Sequence, residues 1–197
     1  MKLLLASKSA ARRAMLEAAG VPFETVEAEL DEGAAKAGLW SAGFDARGVA
    51  EELAQLKALS AVAGPGDLVL GSDQTLERDD GTLLNKPASR EEALGQLQSL
   101  AGGTHRLHSA AVIVEGGEAT WWASETVDLT MRPLGEAFLE NYLDREWEHI
   151  RWSVGGYRIE GPGAQLFDRI DGSHFAILGM PLLPLLAYLR ERGLLLS

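Results

Sequence analysis

Four consecutive apolar residues, Leu3-Leu4-Leu5-Ala6, follow Met1-Lys2 at the start of the sequence. A run without polar alternation has no face to give to water, so it reads as a short buried strand over 2–6. Ser7 or Ser9 then caps a helix reaching about Ala19, and Gly20 supplies its stop. Arg12, Met15, Leu16 and Ala19 share one face of that helix by i, i+3, i+4, i+7 spacing. A strand over Val21 to Ala28 and an acidic turn at Leu30-Asp31-Glu32-Gly33 follow. Gly33 to Gly48 carries little pattern and allows a mobile loop or a short helix around Trp40. A helix over about Ala46 to Ala63, with Val49, Leu53, Leu56 and Ser60 along one side, ends at Gly64-Pro65-Gly66.

Asp67 to Asp73 reads as a central strand ending in a polar turn, and Glu77 to Asn85 as a small hairpin turning at Asp79-Asp80-Gly81. A helix over Ser89 to Leu100 precedes strands at about 104–115 and 118–131, joined at Gly116-Gly117. A helix over 135–147, a glycine-rich turn at 155–163, a hairpin turning at Asp171-Gly172 and a closing helix over 181–192 complete the pattern. Strands and helices alternate early and antiparallel hairpins dominate later. The fold class is therefore α/β: a mixed, curved sheet flanked by helices. With 197 residues, 46% of them hydrophobic, and no repeat or linker, one compact domain over 1–197 is expected.

Charge narrows the partners. The net charge is -11, from 29 acidic and 18 basic residues, the wrong sign for a binder of polymeric nucleic acid. Yet residues 1–16 hold Lys2, Lys8, Arg12 and Arg13 and no acid, a basic patch suited to a small polyanion. The basic, serine-containing start resembles a transit peptide, but a strand leading into a helix is the more economical reading. The opening apolar run is too short for a secretory segment, and no stretch approaches the ~20 apolar residues of a membrane span. With no cysteine, disulfides, thiolate metal sites and cysteine nucleophiles are excluded, and a cytoplasmic setting fits.

Four local features can carry chemistry. Leu5 to Arg13 offers a helix N-terminus with free N–H groups, hydroxyls from Ser7 and Ser9, and guanidinium forks from Arg12 and Arg13, all suited to phosphate. The plainer alternative makes Ser9 a helix cap and pairs Arg13 with Glu17. In Gly71-Ser72-Asp73-Gln74 a carboxylate follows an apolar strand, where it can bind Mg²⁺, take a proton from water, or make an ordinary turn. Lys57 borders an apolar helix face, where snorkelling also explains it, and Lys86 is held extended by Pro87. In Gly155 to Gly161 the backbone can approach a base, with Glu160 accepting from its N–H groups, or the loop is merely tight and Glu160 solvated. His105 and His108 point to opposite faces of one strand and make a poor metal pair. No P-loop, HExxH or Gly-x-Ser-x-Gly motif occurs.

Taken in order, these segments resemble the Maf family of nucleotide pyrophosphatases. They are Leu5-Ala6-Ser7-Lys8-Ser9 with Arg12-Arg13, Leu30-Asp31-Glu32, Lys57, Gly71-Ser72-Asp73-Gln74, Lys86-Pro87, Gly103-Thr104-His105, Gly155 to Gly161, and Leu178-Gly179-Met180-Pro181. The resemblance implies a fold related to the inosine-triphosphatase-like enzymes, with two lobes around a cleft and often a homodimer. It also implies a divalent cation, Mg²⁺ or Mn²⁺, and hydrolysis of nucleoside triphosphates to a monophosphate and pyrophosphate. Asp73 matches the family's proton acceptor and Glu32 an acid needed for metal and catalysis, so Glu32 and Asp73 are the expected metal ligands. Lys57, Lys86 and Arg13 match phosphate-binding and charge-stabilising positions, with Ser7 and Arg12 beside them.

Gln74 and Glu160 resemble the branch acting on 7-methyl-GTP, whereas the branch preferring dTTP and UTP carries Thr and Gln there. Ala11 departs from both, since the first branch carries Trp and the second Arg at that position. Trp40 and Trp152 are the candidates to stack on a base in its place. A non-catalytic nucleotide-binding regulator of cell division is the rival from another class, opposed by the intact set of acids and lysines. A nucleotidyltransferase would show an early glycine-rich run, and no glycine precedes Gly20.

Overall fold

The computed structural model describes residues 1–196. Strands β1 (Leu3–Ala6), β2 (Glu24–Thr25), β3 (Leu68–Arg78), β4 (Leu83–Leu84), β5 (Thr104–Glu115), β6 (Glu118–Met131) and β7 (Phe167–Asp171) form one mixed open sheet in the order β2-β1-β3-β5-β6-β7, with β4 paired to β3. The helices are α1 (Ala10–Ala18), α2 (Glu32–Ser41), α3 (Ala46–Leu59), α4 (Arg90–Leu100), α5 (Glu136–Ile150), α6 (His174–Ile177) and α7 (Leu182–Glu191). The α/β reading of the sequence holds. Among the described residues no helix is long and apolar enough to cross a membrane. Contacts group the chain into two units, the first from residues 1–74, 108–126 and 173 onward, the second from 75–107 and 127–172.

In the first unit β1 lies parallel to both β2 and β3. Its alternate residues serve opposite faces, which explains the unbroken apolar run. Leu3 and Leu5, with Leu68, Leu70, Ala111 and Ile113, pack with Met15 and Leu16 of α1 and Leu185 and Leu189 of α7. Leu4 and Ala6, with Val69, Ala110 and Val112, pack with Ala50, Ala54 and Ala58 of α3. A fully buried leucine contributes roughly 1.5–3 kcal/mol, so these two layers set the geometry of everything β1 and β3 carry.

The alanines of α3 are matched by Gly71 on β3. A Cβ built there would stand 1.9 Å from the Ala54 carbonyl oxygen. Only glycine lets helix and strand approach this closely, and that approach brings the next turn of α3 over Asp73.

The second unit is built around α4 and α5, tied by Arg90 to Glu140 at 2.6 Å. Leu97, Leu100, Leu139 and Leu143 are buried in it. Its β7 pairs antiparallel with the end of β6. His105, Tyr157 and Phe167 form an aromatic cluster in which His105 Nε2 and the Tyr157 hydroxyl are 2.8 Å apart. Burial lowers the His105 pKa to about 4.

Several local expectations are corrected. Of the two alternatives for the segment around Trp40 the helix is found, and it starts at Glu32 in place of the expected acidic turn, because Asp31 caps it by accepting from Ala34 N at 3.0 Å. Ala19 is exposed, so the buried stripe of α1 is Arg12, Met15 and Leu16. Val21 to Ala28 makes only the two-residue β2, since Val21 turns into the core and Ala28 bridges to Ala61. That bridge also stops α3 at Leu59, short of Ala63. Its buried face is Val49, Ala50, Leu53, Ala54, Lys57 and Ala58. β3 continues through Asp73 to Arg78, because its far end pairs with β4. β7 pairs back onto β6, and Ser173 begins α6, so Asp171-Gly172 does not turn a hairpin. α5 extends to Ile150.

Candidate active site

Lys57 is the centre of the site in the first unit. It lies on the buried face of α3, so snorkelling is not its role. Its ammonium nitrogen stands 3.0 Å from Asp73 Oδ2 and 3.1 Å from Glu32 Oε2, with the three side chains 6%, 13% and 50% exposed in that order. Asp73 sits within β3, not in a turn beyond it, and its direction is fixed by the strand. Its Oδ1 accepts from Gln74 N at 2.7 Å. Oδ2 is buried and faces the ammonium as an ion pair, with no hydrogen bond from another group among the described residues. Glu32 is the first residue of α2, where the helix dipole favours a carboxylate.

Arg12 adds a second buried cation. Nε donates to the Gly179 carbonyl at 2.7 Å and Nη1 to Ser7 Oγ at 3.4 Å. Burial lowers its pKa, while the charges of Asp73 and Glu32 act in the opposite direction. Arg12 therefore belongs to the electrostatic neighbourhood of both carboxylates. Ser9 caps α1, accepting from Arg12 N at 3.4 Å, and Ser7 Oγ accepts from Ser9 N at 3.3 Å. The start of α1 is thus a preformed array of hydroxyls and N–H groups facing a guanidinium.

The structure brings Ser7, Ser9, Arg12, Glu32, Lys57 and Asp73 into one network. Ala11 is half-buried on the first turn of α1. Arg13 is exposed and forms no ion pair with Glu17 among the described residues. Gln74 is tethered: its amide nitrogen lies 2.9 Å from Ser109 Oγ, 2.9 Å from Ala176 O and 3.0 Å from Ile177 O. Only its carbonyl end is left for a ligand.

Lys86 and Glu160 belong to the second unit, and both are exposed. Glu160 stands in a loop braced by Arg158, whose Nε donates to the buried Glu146 at 2.6 Å. Of the tryptophans considered for stacking, Trp40 is on α2, and Trp152 already lies under the Arg151 guanidinium at 4.9 Å. Among the described residues no cluster of three or more His, Asp or Glu side chains is arranged to hold a metal. Any metal here would rest on two carboxylates and water.

Sequence reasoning missed Gly71, Ser72, Gly179 and Glu146. Gly71 and Ser72 stand beside Asp73, but a glycine and a small hydroxyl carry no signature of the close packing and the tie they make. Gly179 acts through its backbone, and Glu146 looks like any helix-surface acid.

A sequence model of the family described as Maf-like protein matches residues 2–192. The chain belongs to the Maf family. Among its Maf relatives it is 48% identical over 195 residues, 98% of each chain, to a nucleoside triphosphate pyrophosphatase of Sphingopyxis alaskensis. It is 45% identical over 191 residues, 97% of this chain and 96% of the relative, to a nucleoside triphosphate pyrophosphatase of Caulobacter vibrioides. It is also 44% identical over 192 residues, again 97% and 96%, to a 7-methyl-GTP pyrophosphatase of Brucella abortus.

Proposed function

We propose that this Maf protein hydrolyses the anhydride between the α- and β-phosphates of nucleoside triphosphates, giving a monophosphate and pyrophosphate. The observation that carries the proposal is the single buried ammonium of Lys57 held between Asp73 and Glu32, with Arg12 close by. The names of its full-length relatives support the same chemistry. Phosphoryl transfer needs positioning and neutralisation of charge more than covalent help, and this cluster is made for both.

Asp73 Oδ2, ion-paired to Lys57 and accepting no other hydrogen bond among the described residues, accepts a proton from the water that attacks the α-phosphorus. Lys57 fixes the direction of that carboxylate and carries positive charge to the leaving pyrophosphate. Arg12 presents its remaining N–H groups to phosphate oxygens, and the start of α1 adds backbone and hydroxyl donors. Arg13, exposed on α1, serves the outer phosphates in the same proposal.

The residues fit a divalent cation. Glu32, half exposed, and Asp73 converge on one point, and carboxylate oxygens with water are the donors Mg²⁺ and Mn²⁺ take. Glu32 and Asp73 would hold it, and when bound it supplies neutralisation of the triphosphate charge.

For the base, we propose a guanine type, 7-methyl-GTP included. Glu160 is exposed in its braced loop within reach of the Arg158 charge, and a carboxylate accepts from guanine N1–H and N2–H. A cysteine-free chain acting on free nucleotides suits the cytoplasm. The test is pyrophosphate release from a panel of nucleoside triphosphates, methylated bases included, with Mg²⁺ and with chelator. Metal-dependent pyrophosphate release is expected, fastest on a guanine nucleotide. Binding without turnover would instead establish the regulator, and release of orthophosphate would refute the bond assignment.

A further inference from the structure

We infer that Gly179 is a positioning residue for the reaction: its backbone aims the Arg12 guanidinium and ties it to the strand that carries Asp73. The inference rests on the phosphate-binding reading of Arg12. Gly179 follows the short α6 in a tight turn, with Gly179 N donating to Ala176 O at 3.0 Å and Met180 N to Phe175 O at 3.2 Å. Met180 and Leu182 are buried just beyond it, so the turn is anchored on both sides.

The Gly179 carbonyl accepts Arg12 Nε at 2.7 Å. The same oxygen lies 3.0 Å from Ser72 Oγ, a wholly buried hydroxyl next to Asp73 in β3. One carbonyl therefore links the cation to the strand of the catalytic carboxylate. Ser72 Oγ also lies 2.8 Å from Ala110 O on β5, which holds the hydroxyl in place between two acceptors.

The residue type matters as much as the carbonyl. Gly179 has φ +104, a conformation L side chains rarely adopt. A Cβ there would stand 3.2 Å from both Nε and Nη2 of Arg12 and 3.5 Å from Cζ. The glycine thus lets the main chain lie against the guanidinium while accepting from Nε. With Nε held by Gly179, Nη1 facing Ser7 and the side chain buried, the guanidinium cannot swing. Nη2, which takes no protein acceptor among the described residues, is left for phosphate. A planar fork binds a phosphate well only when its plane is fixed beforehand, and small misplacements at such sites cost large factors in rate.

The test is a double-mutant cycle on pyrophosphate release, using the panel nucleotide that the wild type turns over fastest. Gly179→Ala is expected to lower kcat/KM by about 10- to 100-fold, as Arg12→Ala does. In the Arg12→Ala background, Gly179→Ala should cost less than about 2-fold more, because its effect runs through the guanidinium. Multiplied losses would overturn the inference, whereas unchanged kinetics in Arg12→Ala alone would overturn the phosphate reading beneath it.

Should Gly179→Ala fail to give a cooperative melt, Ser72→Ala takes its place. It removes one tie to the same carbonyl and keeps the glycine turn. A loss of about 3- to 10-fold that vanishes in the Arg12→Ala background is expected. No loss, or a loss that persists in that background, would refute the role.

Discussion

The Lys57 cluster and the loop around Glu160 are built in opposite ways. In the cluster, charged side chains leave a strand and two helices and are held by one another, Lys57 touching both Asp73 and Glu32. In the loop, 3-10 turns at Val154–Gly156 and Pro162–Leu166 set the shape, and one ion pair from Arg158 to Glu146 braces it. Glu160 itself projects from that loop exposed. The difference separates two tasks. Chemistry at phosphorus needs charges fixed to fractions of an ångström, which regular elements with buried faces supply. Reading a base needs a shaped edge, which a glycine loop supplies without fixing the charge at its tip. Changes to charge should therefore cost turnover in the first region and selectivity in the second.

The largest effect is expected at Asp73. Asp73→Asn keeps the shape and removes the proton acceptor, so kcat should fall by about 10²- to 10⁴-fold while the melting temperature stays close to wild type. A melt lowered as much as the rate would show that the carboxylate is structural, like the brace in the loop.

Gly71→Ala probes the packing beneath the cluster. Its Cβ would meet the Ala54 carbonyl oxygen at 1.9 Å, so α3 must move. A loss of about 3 kcal/mol in unfolding free energy is expected by urea titration, together with lowered kcat as Lys57 leaves Asp73. Stability lost with kcat intact would uncouple the packing from the chemistry.

The loop gives a different signature. Glu160→Gln should lower kcat/KM for a guanine nucleotide by about 10- to 100-fold while altering that for a pyrimidine nucleotide little. Equal losses on all bases would place Glu160 with the phosphate machinery instead.

The smallest effect at neutral pH is expected at His105, which governs the response of stability to acid. His105 is buried with its pKa lowered to about 4 from the model-peptide 6.5. Between those values the unfolded chain binds a proton that the native chain refuses. The stabilisation is thus complete above about pH 6.5 and is lost as pH falls towards 4. His105→Gln should flatten the fall in unfolding free energy across that window by up to about 3 kcal/mol. An unchanged slope would show that other groups carry the acid response.

Much of this was legible in the sequence, for identifiable reasons. Gly116-Gly117 between two strand-like runs marked the β5–β6 hairpin, because turn chemistry is local. Leu3 to Ala6 marked a strand covered on both sides, because an unbroken apolar run has no other stable place. Helix α2 was legible only as one of two alternatives, because it buries no side chain and so carries no apolar stripe. The depth of Lys57 was hidden for a related reason: a lysine at the edge of an apolar stripe reads as surface until its two carboxylates are known. The tie from Arg12 to Gly179 was out of reach, because a carbonyl oxygen has no residue-type signature and its partner is 167 positions away.

The central claim is that Asp73 directs water at the α-phosphorus. Turnover in water enriched in heavy oxygen, with mass analysis of both products, tests it most directly. The account predicts the label in the nucleoside monophosphate, none in pyrophosphate, and both products suppressed together in Asp73→Asn. Label in the pyrophosphate, or labelled monophosphate formed at the wild-type rate by Asp73→Asn, would contradict it.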